Sequence, residues 1–206
     1  MSEPVTFTVI VPTRGRSSLG GTLASITEQL EPGDEAIVRC SRDEDFGNAA
    51  RRSMIERAKG THLLFMDDDD QFATGALATM RRFASENPGR IGIFRMRYLD
   101  GRLLWSEPVL RQRNLGSPML CVPNIPERLA PWASPDYPRV ADFRFVEGTA
   151  KLLGEPIFRE EIVAHIRSDR RPAQRLLKRL TRPVEVLRLR VAPRTRLLRA
   201  FGRMRG

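Results

Sequence analysis

Residues 6–11, 35–40 and 61–66 are short apolar runs, the first of them rich in β-branched side chains, and each precedes a stretch with apolar residues at helical spacing. Runs of this length bounded by Pro, Gly and polar clusters read as strands, and the stretches between them read as amphipathic helices. Strand, helix, strand, helix, strand, helix restricts the chain to an α/β sheet, because parallel neighbours need a crossover that packs back onto the same sheet. The expected architecture is a mixed, mostly parallel sheet flanked by helices. In such a sheet the loops 13–16, 41–47 and 67–70 leave along one edge. That is the carboxyl edge, where open α/β sheets bind their ligands.

The helices carry their own signals. Leu19, Leu23, Ile26 and Leu30 form the first apolar face, which Pro32-Gly33-Asp34 closes. Asn48 is a candidate cap for the second helix, which stops at Lys59-Gly60, and Thr74 for the third, with Leu77, Met80 and Phe83. The second half changes style. Asp100-Gly101 between two apolar runs predicts a hairpin, and residues 118–122 offer a further strand. Five prolines in residues 123–138 exclude a long regular element and predict an irregular loop over the cleft. Trp132 and Tyr137 in that loop are either stacking surfaces or covers for the core edge. A helix over residues 143–153 and two short strands, 157–158 and 162–166, complete the order.

The acidic run Asp67-Asp68-Asp69-Asp70 directly follows the third apolar strand. Alternation along an extended segment puts Asp67 and Asp69 on one face and Asp68 on the other. Clustered carboxylates repel, and raised pKa values, solvent or a bound cation relieve the repulsion. Hard cations such as Mg²⁺ take one or two carboxylates together with substrate phosphates. The run is therefore either a metal platform or a solvated turn in which Asp70 or Thr74 caps the next helix. Arg14 and Arg16, in the loop after the first strand, either meet a phosphate or lie in solvent. Of the two histidines, His62 opens the buried strand as a structural residue, and His165 comes late in the chain.

With 206 residues, 41% hydrophobic and 29% charged, the chain suits one soluble domain with a real core. No apolar run reaches the length of a bilayer span, and Met1-Ser2-Glu3-Pro4 has no signal-peptide character, so a cytoplasmic location is expected. Cys40 and Cys121 stand in apolar settings and are expected to be buried free thiols. The net charge of +10 is uneven. Residues 170–206 hold 13 basic residues against one acid, Glu185, while the rest of the chain is slightly negative. Leu176, Leu177, Leu180, Val184 and Leu187 keep helical spacing there, and Pro183 is expected to kink the helix. The expected division is a domain at 1–168 and a basic amphipathic helical tail at 169–206, fit for an anionic membrane surface at the inner face of the membrane. A packed helix pair and a nucleic-acid arm are the alternatives. The scarcity of aromatic residues in the tail argues against single-stranded nucleic acid.

Four segments together resemble the family 2 glycosyltransferases, which use the nucleotide-diphospho-sugar-binding fold called GT-A. Residues 7–14 are similar to the family's opening strand and its Pro-Thr turn, and residues 49–60 to its Ala-Arg-Asn…Ala-Lys-Gly helix. Residues 64–70 are similar to the strand that ends in the metal-binding DxD, and Ala141-Asp142-Phe143 to its Glu-Asp-aromatic segment. The resemblance spans residues 5–165 and implies inverting transfer of a sugar from a UDP- or GDP-type donor to a hydroxyl acceptor. It implies that Asp69, with Asp67, binds Mg²⁺ or Mn²⁺ and that Asp142 is the general base. A helix cap is the alternative role for Asp142. Pro12, Thr13, Arg14, Arg42, Asp43, Arg51, Asp67 and Asp68 are implied donor contacts, and a late histidine such as His165 completes the metal site in some relatives.

The likeness has departures. The second strand runs into Cys40-Ser41-Arg42-Asp43 rather than Asp-Asp-Gly-Ser, so the base contact falls to Asp43 or Asp45, or is lost. Arg52 stands where the family has Asn. Rival readings are a nucleotidyltransferase, for which Thr13-Arg14-Gly15-Arg16 is poor in glycine, and a non-catalytic sugar-nucleotide- or nucleic-acid-binding protein on a degenerate transferase fold.

Overall fold

The computed structural model describes residues 4–41, 45–133, 138–166 and 187–190. Its first half follows the sequence closely: β1 (Phe7–Thr13), α1 (Leu19–Thr27), β2 (Glu35–Cys40), α2 (Asn48–Ile55) and β3 (His62–Phe65). Then come β4 (Asp70–Phe72), α3 (Ala76–Glu86), β5 (Gly92–Arg97), β6 (Leu103–Leu104), β7 (Leu120–Pro123), α4 (Ala141–Leu153), β8 (Ile157–Ile166) and β9 (Leu187–Arg190). Among the described residues one sheet contains all nine strands, in the order β4-β8-β5-β7-β3-β1-β2-β9, with β6 on β5.

β1 is buried along its whole length, and β3 likewise, as expected of central strands covered on both faces. β3 enters the sheet through Gly60, where a Cβ would collide with the backbone of Phe7 and Thr8. β1 pairs in parallel with β2 and β3, so the ends of all three strands reach one edge.

Several expectations need correction. The sheet is mixed rather than mostly parallel. Among the described residues, beyond β3-β1-β2 only β5 and β8 pair in parallel, because β7 returns to β3 and β5 without a helical crossover. Asp70 opens β4, which lies antiparallel on β8, so the acidic run ends in a strand rather than in a helix cap. Gly75, at φ 76°, occupies the N-cap of α3 in place of Thr74. Residues 157–166 form one ten-residue strand. Its register shifts against β5 between Ile93 and Met96, at the polar interruption that separates the two predicted strands.

Trp132 is a core residue, packed between Phe65 and Phe145 at centroid distances of 4.6 and 4.8 Å. Cys121 is buried, and burial pushes its thiol up to about 12, but Cys40 is exposed at the end of β2. Leu187–Arg190 is not helical. It adds a strand to the β2 edge, with Arg190 Nη2 donating at 3.0 Å to the buried Glu35 carboxylate. The remainder of the tail (167–186 and 191–206), Arg42, Asp43 and Tyr137 lie outside the described residues. Among the described residues no helix is long and apolar enough to cross a membrane.

Candidate active site

The carboxyl edge gathers its acids by alternation. Along residues 67–70 burial alternates: Asp67 and Asp69 are partly exposed, whereas Asp68 and Asp70 are buried. The buried Asp68 ties the loop after β1 to the end of β3. Its Oδ2 accepts from the Thr13 hydroxyl at 2.8 Å and from the Arg14 N–H at 3.0 Å, and its Oδ1 lies 3.1 Å from Arg16 Nη1. Ser18 Oγ donates to the Asp68 carbonyl at 2.7 Å and Thr22 Oγ1 to the Asp70 carbonyl at 2.7 Å, so α1 holds the same segment from the other side. Pro12 is buried behind this loop and Thr13 is buried within it.

Asp67 faces α2, where Arg51 forms an ion pair with it. Arg51 is 4% exposed. Its Nη1 donates to the Phe46 carbonyl at 2.8 Å, and its guanidinium lies 5.4 Å from the centre of the Trp132 ring. Trp132 Nε1 donates at 3.0 Å to Asn48 Oδ1, so the first turn of α2 and the proline-rich loop brace the arginine together. Asp45 has a local task. Its carboxylate accepts from the Gly47 N–H at 2.9 Å and the Ala49 N–H at 2.6 Å, ahead of Gly47, which takes the N-cap of α2 in place of Asn48. Asp69 forms an ion pair with Arg16. Burial raises the Asp69 pKa first of all, Arg16 lowers it, and the charges of Asp67 and Asp68 raise it.

Asp142 reaches the same place from the first turn of α4. Its Oδ1 accepts from the Phe143 N–H at 2.8 Å, while Val140 is the N-cap residue. Burial pushes its carboxyl up to about 6. The Phe143 N–H pulls it down, Asp67 raises it and Arg51 lowers it. A carboxyl group near pH 6 beside a second acid is matched to taking a proton at neutral pH.

Pro12, Thr13, the Arg14 backbone, Arg51, Asp67, Asp68, Asp69 and Asp142 thus meet at one rim. Asp68 faces inward, as the hinge pin of the β1 loop. His62 lies at the opposite end of β3, edge-on to Phe7 at 6.4 Å, and burial lowers its pKa to about 4. His165 pairs in register with Gln71 across β8 and β4 and with Arg97 across β8 and β5. Among the described residues no group of three His, Cys, Asp or Glu side chains is placed to hold a metal ion. Asp67 and Asp69 are the two partly open carboxylates of this rim that could hold a divalent cation, with phosphate oxygens completing its shell. Both are hard carboxylate donors, partly open to solvent, and each is already paired with one arginine.

Sequence reasoning named Arg14 and Arg16 together, and the guanidinium of Arg16 meets Asp68 and Asp69. It left Trp132 undecided between stacking and covering.

No protein-family model matches the chain, and no curated protein does. Solved structures do match. Crystal structures of S. aureus TarS 1–349 superpose with a TM-score of 0.58 at 18% identity for one structure and 0.58 at 16% for the complex with UDP. The complex with UDP-GlcNAc gives 0.52 at 16% identity. In all three the match covers 78% of this chain, which spans only 58–60% of TarS 1–349. The shared fold is GT-A-like: a mixed sheet flanked by four helices.

Proposed function

We propose that this protein is a metal-dependent, inverting glycosyltransferase that moves a sugar from a UDP-sugar to a hydroxyl acceptor. One observation carries the reading: at the carboxyl edge of the sheet Asp67 and Asp69 pair with Arg51 and Arg16, and Asp142, from a separate element, lies within the field of Asp67 and Arg51. The fold shared with TarS, whose structures include complexes with UDP and UDP-GlcNAc, supports a uridine nucleotide as donor.

Pro12 and the Thr13-Arg14 loop wall one side of the nucleoside. Thr13 is fixed in place by Asp68, so the loop needs no reordering when the donor arrives. Arg51 orients Asp67, and Asp67 with Asp69 would hold Mg²⁺ or Mn²⁺. When bound, such a cation supplies Lewis-acid neutralisation of the diphosphate leaving group. Asp142, ionised above its raised pKa, takes the proton from the acceptor hydroxyl as that oxygen attacks the anomeric carbon from the face opposite the diphosphate. The C1–O bond to the diphosphate breaks, and the configuration inverts.

Thermal unfolding with UDP and UDP-GlcNAc, with and without Mn²⁺, tests the assignment. Stabilisation that needs both ligands and disappears in Asp69→Ala is expected, together with release of UDP in a transfer assay. Stabilisation by nucleotide that ignores Mn²⁺ and Asp69 would favour a binding protein without catalysis. The basic residues of 170–206 extend the proposal to an anionic membrane surface beside a cytoplasmic enzyme. Sedimentation with phosphatidylglycerol vesicles, lost at high salt, is the expected outcome.

A further inference from the structure

Arg16 and Arg51 pair with the three acids at the end of β3, and the two are held differently. Arg51 is enclosed by Phe46, Trp132 and Asp67, and its side chain is 5% exposed. Arg16 stands on a surface loop after Gly15, whose φ of +74° gives that loop its turn, and its side chain is 48% exposed. The Arg16 guanidinium spans two carboxylates at once, 3.1 Å from Asp68 Oδ1 and in direct contact with Asp69 Oδ2. Asp68 keeps the Thr13 hydroxyl and the Arg14 N–H as partners, so it does not depend on Arg16.

We propose that Arg16 is the built-in counter-ion of this site: it occupies Asp69 in the free protein and exchanges that carboxylate for the donor's diphosphate when a divalent cation and nucleotide enter. The inference rests on the donor-site reading above and adds a role that the reading does not require. An exposed guanidinium–carboxylate pair is weak, so a divalent ion can displace it. The displaced guanidinium remains tethered within reach of the same rim, and its planar fork suits phosphate oxygens. Arg16 therefore acts with opposite sign on two ligands. It opposes the cation alone and favours the diphosphate once the cation is present. By linkage, it raises the cooperativity between cation and nucleotide.

The test uses the full chain, with free Mn²⁺ measured by electron paramagnetic resonance and UDP binding by calorimetry. Arg16→Met is expected to bind Mn²⁺ alone about fivefold more tightly than the parent, and UDP in saturating Mn²⁺ about fivefold more weakly, within the usual range of coupling between sites. Arg16→Lys, which keeps the charge, should stay near the parent for Mn²⁺. Mn²⁺ affinity that is unchanged or weaker in Arg16→Met overturns the proposal. If Mn²⁺ binds and Asp69→Ala abolishes it while Arg16 variants are indifferent, the inference falls and the donor-site reading stands. If neither parent nor variant binds Mn²⁺, both fall.

Discussion

Two ion pairs of the same chemistry flank the acidic rim, and their surroundings make them different devices. Arg51–Asp67 is anchored from a helix, with a carbonyl, an aromatic face and an Asn–Trp bond bracing the arginine. Arg16–Asp69 joins a loop to a half-open carboxylate, with solvent on the arginine. The first pair positions groups, and the second answers to ligands. Proximity of opposite charges alone would have made them equivalent. Burial and the number of fixed partners separate them, because a desolvated charge cannot leave its partner while a hydrated one can.

Under the proposed mechanism the anchored side also carries the proton chemistry, and the largest effect is expected there. Asp142→Asn keeps the acceptor for the Phe143 N–H but removes the base, so kcat should fall by about 10³-fold, within the range for loss of a general base. In the parent, kcat/KM should rise with pH through an acid limb near pH 6, since only the ionised carboxyl accepts a proton. That limb should be missing from the residual activity of the Asn variant. A parent limb near pH 4 would separate Asp142 from the chemistry. The second effect is on folding. Arg51→Met leaves the Phe46 carbonyl and Asp67 without their cation, and urea unfolding should show a loss of about 3 kcal/mol, the low end for a broken buried pair because Asp67 can still reach water.

How much of this contrast was legible in the sequence depends on range. β1, β2 and β3 have local patterns strong enough to name, and the alternation of Asp67, Asp68 and Asp69 followed from strand geometry alone. Asp70-Gln71-Phe72 has no strand pattern; its strand exists because β8 lies alongside, a partner nearly a hundred residues away. Trp132 sits in a proline-rich loop that reads as surface, and only the gap between Phe65 and Phe145 explains its burial. Leu187-Arg188-Leu189-Arg190 did carry a signal, strict alternation of period two, but Leu187 also fits the helical series before it, and that longer series misled. The buried Glu35 carboxylate on β2, which receives Arg188 and Arg190, decides the matter for the strand.

A third effect sharpens the contrast through pH. Burial raises the Asp142 pKa to about 6, above its unfolded value near 3.8, so the folded protein favours the proton. Stability from this group is complete below pH 3.8 and is lost as pH rises through 6. Asp142→Asn should therefore match the parent at pH 3.5 and exceed it by about 2 kcal/mol at pH 7.5, the shift converted at 1.4 kcal/mol per unit and reduced for partial exposure. Comparing the two proteins at each pH cancels His62. Its pKa is lowered to about 4, so it acts the opposite way, withdrawing stability as pH falls from 6.5 through 4.

The smallest effect is expected at the exchangeable pair. Arg16→Met removes the cation from Asp69 but leaves Asp68 on Thr13 and the Arg14 N–H, so urea unfolding should change by less than about 1 kcal/mol at neutral pH. The deficit should have a direction in pH and in salt. Arg16 lowers the raised pKa of Asp69, so its removal lets that carboxyl take a proton more easily. The variant's deficit is then full where Asp69 is ionised in both proteins and shrinks as pH falls and Asp69 protonates. Added salt should shrink it as well, since one member of the pair faces solvent. A loss as large as that of Arg51→Met, insensitive to salt, would mean that Arg16 is held as firmly as Arg51 and that the rim has two structural pairs and no exchangeable one.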